Sequence, residues 1–347
     1  MMDKLEKNHT GEAEQLEKWP IPAGVARCLE TLRQAGYAAH PVGGCVRDLL
    51  LGRVPGDYDL CTAARPEQVM ALFDRCIPTG LRHGTITVLT GDGPVEVTTF
   101  RREGGYADGR HPDGVRFDVG LTEDLARRDF TINAMALGPE EEVIDPFGGQ
   151  ADLAAGRIRC VGDPDRRFSE DALRMLRAVR FAAQLGFVLV PDTQAAIQRR
   201  AEGMAQVSGE RIKAELEKIL LSPAPQRAGD LLRWGLLAHL WPVCTCPDLT
   251  ELRDLPHQPI PRWRGFCEAT GFPIECLPVE RALRRGVRHP EEAVLHQLAL
   301  SGGELAELGL RGQEIGQAQR RLARHVLAHP EDNRRELLLE LLEKPDC

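Results

Sequence analysis

Strand-forming sequence is almost confined to the first 161 residues, and this asymmetry constrains the fold more than any other feature. Up to Val161, β-rich runs alternate with short helical patterns. Beyond it, apolar residues recur at helical spacing in segments 169–185, 192–200 and 209–221, and less regular helices follow. The sequence therefore predicts an α/β head followed by an all-α remainder. A chain of 347 residues exceeds the usual size of a single core, which agrees with this division.

The same patterns suggest domain boundaries. The first 20 residues are polar and carry no sustained apolar stripe, so we expect a disordered lead-in over residues 1–20. The predicted head covers residues 21–160, and a helical neck covers residues 161–221. A helical body and tail is predicted for residues 222–347.

A glycine pair stands between a predicted strand and a predicted helix. The strand ends near Val42, Gly43 and Gly44 form the turn, and the helix runs to Leu51. Free backbone N–H groups at such a helix start favour a phosphate, and Arg47 adds a bidentate donor one turn further on. Glycine is also the ordinary residue for a turn, so this pattern alone leaves both a phosphate site and a plain turn open.

Two acidic residues follow at alternate positions of the next β-rich segment. Because alternate side chains of a strand point to the same face, the carboxylates of Asp57 and Asp59 converge while Tyr58 points away. Converging carboxylates suit Mg²⁺, and a pair of such ions can clamp the attacking and leaving oxygens of a phosphoryl transfer. Two solvated acids at a strand end are the alternative for an isolated pair.

A β-hairpin is predicted from residue 85 to residue 100, with its turn at Gly91, Asp92 and Gly93. Its second strand carries Glu96 among β-branched residues. This carboxylate is either an edge charge or a third member of the metal cluster.

A single helix is predicted from Ser169 to Leu185, with an apolar face and a charged face. A charged face usually meets solvent, which is the alternative to a binding role. Within it, Asp171 and Arg174 are helical neighbours three residues apart, so one acceptor and one planar donor would sit side by side.

This pair could select a nucleobase. An ionised Asp only accepts hydrogen bonds and an Arg only donates them. Cytosine and adenine each offer an exocyclic amine beside a ring acceptor, and both edges fit Asp171 next to Arg174. Uracil and guanine present a carbonyl and an N–H instead, so each would face the pair with like polarity. One Asp–Arg pair could therefore choose C and A.

The formal net charge of -8 excludes a protein that coats nucleic acid non-specifically, because phosphate neutralisation needs clustered Lys and Arg. Any RNA contact must use local basic patches, and we expect the helical remainder to supply them. The candidate RNA-binding residues are Arg199, Arg200, Arg211 and Lys213.

The ten cysteines are scattered without paired spacings, which indicates ordinary reduced thiols. The sequence shows neither a signal peptide nor a run of about 18 apolar residues. We therefore expect a cytoplasmic protein with no membrane partner.

Taken together, the motifs resemble those of the class II tRNA nucleotidyltransferase and bacterial poly(A) polymerase family. The resemblance runs from Pro41 to about Leu220. The motifs that carry it are, in order, GGCVRDLLLG with GDYDL, VEVTTFR, RRDFTINAMAL, EDALRMLRAVRFAAQLGF and SGERIKAEL.

This resemblance implies a polymerase-β-like head, followed by a helical neck, body and tail that hold the acceptor stem of tRNA. It places magnesium on Asp57 and Asp59. Glu96, named above from the hairpin, is kept as a further candidate catalytic residue. It implies triphosphate contacts for the glycine turn, Arg47 and Arg128. The nucleotide contacts that it implies fall on Asp171, Arg174, Arg177 and Arg180. The RNA 3′-hydroxyl would attack the α-phosphate of CTP or ATP, with pyrophosphate as the leaving group.

Several activities share this family signature. They are full CCA addition, partial addition of CC or A, and poly(A) tailing. The loop from Arg101 to Gly114 resembles the flexible element needed for the switch from C to A, which favours full CCA addition. A catalytically silent nucleotide-binding or RNA-binding protein on the same scaffold is the alternative of a different class. The oligomeric state is left open.

Overall fold

A computed structural model of the chain describes residues 19–104, 114–242 and 246–343. Contacts between residues divide these into two compact units. The first unit contains residues 19–104, 114–155 and 159–162, and the second contains residues 156–158, 163–242 and 246–343. Nearly all of the predicted lead-in, 1–20, and the centre of the predicted 101–114 loop lie outside the described residues.

The first unit combines a mixed sheet with short helices. Its helices and strands are, in chain order, α1 (Ala23–Gln34), β1 (Ala39–Pro41), α2 (Gly44–Leu50), β2 (Asp59–Thr62), α3 (Pro66–Leu72), β3 (Cys76–Gly80), β4 (Thr85–Thr90), β5 (Gly93–Thr99), β6 (Arg102–Glu103), β7 (Val115–Arg116), α4 (Leu121–Ala126), β8 (Ala136–Leu137), β9 (Val143–Ile144) and α5 (Gly149–Ala154).

Five of these strands form the main sheet, in the order β1-β2-β5-β4-β3. Strands β2 and β5 are parallel, and the other neighbours are antiparallel. The predicted hairpin is confirmed as β4 and β5, whose last pair is Thr90 with Gly93. The edge strand β3 was not predicted, because its sequence CIPTG contains proline and glycine and is mostly exposed. Such composition is typical of edge strands.

A cluster of buried side chains supports the end of the sheet near the glycine turn. Its members come from β2 and α4, from the residues just after β1 and β5, from the stretch around β8 and from position 161. They are Val42, Cys61, Phe100, Leu125, Ala134, Ala136 and Val161. The segment 127–137 is thereby fixed against the strands that carry the candidate site residues.

The second unit is mainly helical, as predicted. Its elements are β10 (Arg157–Ile158), α6 (Pro164–Glu170), α7 (Leu173–Leu185), β11 (Val188–Leu189), α8 (Pro191–Arg200), α9 (Gly209–Leu220), α10 (Ala228–Arg233), α11 (Pro259–Thr270), α12 (Arg281–Arg288), α13 (Glu291–Val294), α14 (Gly302–Glu307), α15 (Gln313–Ala328) and α16 (Arg335–Glu343). The two short strands pair in parallel. The predicted subdivision at residue 221 stays a prediction, since the second unit runs through that point.

The predicted single helix from Ser169 to Leu185 is wrong, because the chain breaks at Asp171. That residue has φ -150° and ψ 106°, an extended conformation between α6 and α7. Its Oδ1 accepts a hydrogen bond from the N–H of Leu173 over 3.1 Å. Short acidic side chains favour helix starts over helix interiors for this reason. Asp171 therefore caps a new helix.

Helices α7 and α9 pack closely and share a buried ion pair. Arg180 Nε lies 3.2 Å from Glu215 Oε2, and both side chains are less than a tenth exposed. Around this pair, Val179 and Leu216 are fully buried. The last helices enclose a separate apolar cluster that includes Leu300, Leu305, Leu322, Val326 and Leu338.

None of the helices in the described parts of the chain combines the length and the apolar character needed to span a membrane.

The packing of α5 yields a prediction about stability. A Cβ at Gly149 would stand 2.3 Å from the carbonyl oxygen of Thr131 and 2.9 Å from the side chain of Met135. Gly149→Ala should therefore lower the free energy of unfolding by about 1–3 kcal/mol, because backbone must shift to admit the methyl group. Urea titration followed by circular dichroism measures this change.

A glycine with open space around it serves as the control. Gly316 lies inside α15, and nothing stands within 4 Å of a Cβ built there. Gly316→Ala should raise stability by up to about 1 kcal/mol, because alanine is the better helix former. Equal effects of the two variants would contradict the packing argument.

Candidate functional site

The glycine turn before α2 is closed by a hydrogen bond and covered by an arginine. Gly43 has φ +83°, a conformation that favours glycine, and its N–H donates to the carbonyl of Met135 over 3.1 Å. A Cβ at Gly43 would stand 2.7 Å from Nη1 of Arg128. The predicted turn is confirmed. The phosphate contacts predicted for Gly43 and Gly44 stay predictions.

Arg47 is held by the side chains of the adjacent residue Asp48 and of Asn133, which is distant in the sequence. Its Nη1 donates to Oδ1 of Asn133 over 2.7 Å, and its Nε donates to Oδ1 of Asp48 over 2.9 Å. Asn133 in turn donates to Oδ1 of Asp129 over 3.1 Å, and both of these residues are buried. The guanidinium is thus oriented next to the turn, 3.7 Å from the position of a Cβ at Gly44.

Asp57 and Asp59 flank a buried residue at the start of β2. Both acids are exposed, whereas Tyr58 is 8% exposed. The predicted alternation is confirmed, although Asp57 precedes β2 instead of lying in it. Glu96 is also exposed and pairs in register with Asp59 across β2 and β5. Three carboxylates therefore share the solvent-open side of this part of the sheet.

The charges at this point of the sheet repel one another. Burial of the Asp59 carboxyl against neighbouring protein atoms, followed by the charge of Asp57, raises the pKa of Asp59 to about 6. The charge of Arg128 opposes this rise, and that of Glu96 adds to it. Although the residue reaches solvent, the ionised form of its carboxyl is disfavoured. A bound cation would instead favour the ionised form of the Asp59 carboxyl.

The donor set fits magnesium. Mg²⁺ takes one or two carboxylates and completes its shell with waters and substrate phosphates. Within the described ranges, no group of three or more His, Cys, Asp or Glu side chains could hold a metal ion on its own. Water and phosphate oxygens would have to complete the shell around Asp57 and Asp59. Glu96 as a third ligand stays a prediction.

A buried acid that the sequence analysis missed anchors Arg128. Asp124 is completely buried, and its Oδ2 lies 3.5 Å from Nη2 of Arg128. Its Oδ1 accepts from Nε of Arg127 over 2.9 Å and from the backbone N–H of Arg101 over 3.2 Å. One carboxylate therefore connects the arginine over the glycine turn to the first residue of the 101–114 loop. Only the fold reveals this role, because an acid in the first turn of a helix is ordinary in sequence.

In the second unit, the residues predicted to choose the base have other partners as well. Asp171 accepts from Arg211, with Nη2 to Oδ2 at 2.7 Å and Nη1 to Oδ1 at 3.3 Å. Arg174 donates to Oε2 of Glu170 over 2.7 Å, and its backbone N–H donates to the carbonyl of Asp171 over 3.1 Å. The two residues are adjacent through this turn, and not through the continuous helix that was predicted.

Arg177 and Arg180 both approach the ring of Phe181, at 5.5 Å and 4.3 Å from its centroid. Arg180 is buried and shares the ion pair with Glu215 described above. The ion pair of Arg180 joins α7 to α9, whereas the contacts of both arginines with Phe181 stay within α7. The nucleotide contacts predicted for Arg177 and Arg180 stay predictions.

The predicted RNA-binding residues all form ion pairs within the second unit. Arg199 and Arg200 both contact Asp165, at 2.5 Å and 2.9 Å, and the hydrogen bond from Arg199 holds the pKa of that carboxyl below its usual range. Lys213 lies 3.1 Å from both Glu217 and Glu280. Arg211 is the partner of Asp171. Their contacts with RNA stay predictions, and a phosphate would have to compete with these acids.

Two family models match the chain. Residues 39–159 match the poly A polymerase head domain, and residues 186–245 match the probable RNA and SrmB-binding site of polymerase A. The first match contains the glycine turn and all three carboxylates.

Curated relatives are similar over the same region. The CCA-adding enzyme of Levilactobacillus brevis is 48% identical over 239 residues, which are 68% of this chain and 59% of the relative. That of Geobacillus stearothermophilus is 50% identical over 213 residues, which are 61% of this chain and 53% of the relative. The matched region thus spans less than two thirds of these relatives' length.

Solved structures are similar over a larger share. The CCA-adding enzyme of Bacillus stearothermophilus, in complex with CTP, is 34% identical with a TM-score of 0.70, and the match covers 92% of this chain and 82% of that one. The Thermotoga maritima CCA-adding enzyme complexed with tRNA has a TM-score of 0.63 at 21% identity, which supports the fold alone.

The position of Asp124 yields a second prediction. Asp124→Ala leaves Arg127 and Arg128 without their shared carboxylate, and both guanidinium groups are less than a fifth exposed. We expect the free energy of unfolding to fall by about 3 kcal/mol, the cost of removing one partner of a buried ion pair. Urea titration measures it. Asp118 is exposed, so Asp118→Ala should change stability by less than about 0.5 kcal/mol. A similar small effect for Asp124→Ala would refute the anchoring role.

Proposed function

Since the chain belongs to the class II tRNA nucleotidyltransferase and bacterial poly(A) polymerase family, we propose that it adds C and A residues to the 3′ end of tRNA from CTP and ATP. The observation that carries this proposal is the set of three carboxylates beside a glycine turn that two oriented arginines flank. Curated relatives that are about half identical over the matched region carry the name CCA-adding enzyme, which supports the choice of tRNA as substrate.

The first unit is proposed to hold the reacting triphosphate. Gly43 shapes the turn, and the backbone N–H of Gly44 and the guanidinium groups of Arg47 and Arg128 bind the phosphate oxygens. The RNA 3′-hydroxyl gives up its proton to water as its oxygen forms a bond to the α-phosphorus. The bond from that phosphorus to the bridging oxygen of the β-phosphate breaks, and pyrophosphate leaves with the electron pair. Positioning and charge stabilisation account for most of the catalysis of such transfers.

The proposed cofactor is magnesium, held by Asp57 and Asp59 with Glu96 as a neighbouring carboxylate. When bound, the ion stabilises the charge that develops on the attacking and leaving oxygens. Within this chain, Asp124 and Asn133 keep Arg128 and Arg47 aimed at the turn while the phosphates enter.

The proposed base choice falls to the second unit. Asp171 accepts from the exocyclic amine of C or A, and Arg174 donates to the adjacent ring acceptor. The backbone hydrogen bond between the two residues supports this pairing, because it fixes their spacing. Arg177 and the predicted cations Arg199, Arg200 and Lys213 are proposed to assist the binding of nucleotide and RNA.

We also propose that the protein works in the cytoplasm. In the described part of the chain, the cysteines are free thiols, and Cys28, Cys45, Cys61 and Cys160 are buried. Reduced thiols are typical of that compartment.

One assay separates full CCA addition from its alternatives. The protein is incubated with radiolabelled CTP or ATP and with tRNAs that end before, within or after the CC sequence. Full CCA addition predicts that C is added to the first two and that A is added once after CC. Repeated addition of A would indicate poly(A) tailing, and loss of either nucleotide would indicate a partial activity.

The role of Asp59 gives the third prediction. Asp59→Ala should lower the rate of nucleotide incorporation by about a thousandfold or more, because metal stabilisation is worth several kcal/mol. The melting temperature should stay the same or rise, since removal of this carboxylate relieves the cost of its burial and its repulsion from Asp57 and Glu96. Asp74 is an exposed acid of the same unit, and Asp74→Ala should keep full activity. Near-normal turnover by Asp59→Ala with magnesium present would refute the assignment.

The fourth prediction concerns base choice. Asp171→Ala should lose selectivity as well as rate, because a hydrogen-bond partner left unpaired costs about 1–3 kcal/mol, which corresponds to about one to two powers of ten. Steady-state incorporation of CTP, ATP, UTP and GTP onto tRNA lacking its 3′ end measures the ratios. If the variant is slower but ranks the four nucleotides in unchanged ratios, Asp171 only orients its neighbours and does not contact the base.

A further inference from the structure

We propose that Arg211 is a positioning residue for nucleotide selectivity, because it holds the carboxylate of Asp171 in the orientation that accepts a base amine. This inference rests on the proposed role of Asp171. It gives Arg211 a function different from the RNA contact that the sequence predicts.

The contact between the two side chains has the geometry of a fork. Both terminal nitrogens of Arg211 donate, one to each oxygen of Asp171, at 2.7 Å and 3.3 Å. The side chains are 24% and 18% exposed, so the pair is partly shielded from water. A two-point contact of this kind fixes the plane of the carboxylate, which a single hydrogen bond cannot do.

The hydrogen bonds to Asp171 leave little acceptor capacity. A carboxylate has about four lone-pair positions. Oδ1 accepts from Arg211 and from the N–H of Leu173, and Oδ2 accepts from Arg211. The remaining position lies on Oδ2. The amine of cytosine or adenine fits that position, whereas the carbonyl of uracil or guanine meets only another acceptor.

The helix that carries Arg211 is itself fixed. Along α9, Ile212 and Leu216 are fully buried, and Glu215 shares the buried ion pair with Arg180 of α7. Glu217 accepts from Nε1 of Trp263 over 3.0 Å. Arg211 therefore projects from a firmly packed support. Asp171, in contrast, lies in the extended break between two helices.

The proposal predicts a change in nucleotide ratios when Arg211 is altered. Arg211→Gln should lower the preference for CTP and ATP over UTP and GTP, measured as kcat/KM, by about fivefold to tenfold, the usual size of coupling between contacting groups. Arg211→Lys should fall between this variant and the parent, because lysine keeps the charge but lacks the fork. The KM for tRNA and its salt dependence should not change.

A double variant tests whether Arg211 acts through Asp171. Adding Arg211→Gln to Asp171→Ala should change the nucleotide ratios no further. An additional loss of selectivity in the double variant would contradict the proposal, since Arg211 would then act on the base by another route.

Two other arginines of the second unit provide comparisons. Arg233 is exposed and forms an ion pair with Asp230 of the same helix, so Arg233→Gln should leave rate and ratios unchanged. Arg199 is a predicted RNA contact, so Arg199→Gln should raise the KM for tRNA and flatten its salt dependence. If Arg211→Gln behaves like Arg199→Gln and keeps the parent ratios, Arg211 is an RNA contact and the proposal is wrong.

The same measurements distinguish this inference from the function on which it rests. If Asp171→Ala keeps the nucleotide ratios of the parent, the proposed base-choosing role of Asp171 is wrong. If Asp171→Ala alters the nucleotide ratios but Arg211→Gln keeps those of the parent, only the proposed role of Arg211 is wrong. Melting temperatures of all variants show whether any loss comes from unfolding.

Discussion

Repulsion among the carboxylates at the start of β2 is the constraint on which the first unit depends. Burial of the Asp59 carboxyl, followed by the charges of Asp57 and Glu96, raises its pKa, so the ionised cluster is unfavourable. A sheet tolerates such a cluster only where its surroundings fix the backbone and supply positive charge. The buried Asp124 meets that need indirectly, since it keeps Arg128 near the cluster. The unfavourable free energy of the carboxylate cluster is thus offset in part by a buried residue that keeps a positive charge nearby.

The elements of this unit were largely predictable because each depends on local signals. The glycine turn and the β4–β5 hairpin follow from residues that few other conformations accommodate. The alternation around Tyr58 follows from the period of a strand. Strand β3 escaped prediction because an edge strand needs few apolar residues, and its pairing with β4 is what defines it. Strand β3 therefore forms because β4 pairs with it, and its own sequence does not predict it.

The predicted helix from Ser169 to Leu185 failed for a related reason. Its apolar spacing is helical on both sides of Asp171, so periodicity alone cannot detect a break. The break becomes stable because the carboxylate of Asp171 caps Leu173 and also meets Arg211, which is 40 positions away in the sequence. Candidate site residues could therefore be named from motifs, but their partners could not. Which acid an arginine contacts is decided by tertiary packing.

The proposed base choice gives the ion pair between Arg211 and Asp171 a bearing on selectivity. A helix would fix Asp171 relative to Arg174 through its backbone alone, and the side chain of Asp171 would then need no other support. In the extended break, the carboxylate direction depends on side-chain contacts, and Arg211 supplies two of the three hydrogen bonds that it accepts. On the proposed role of Asp171, specificity for an amine depends both on this residue in the break before α7 and on Arg211 of α9. The proposal thus gives a motif residue that does not contact the nucleotide a part in choosing it.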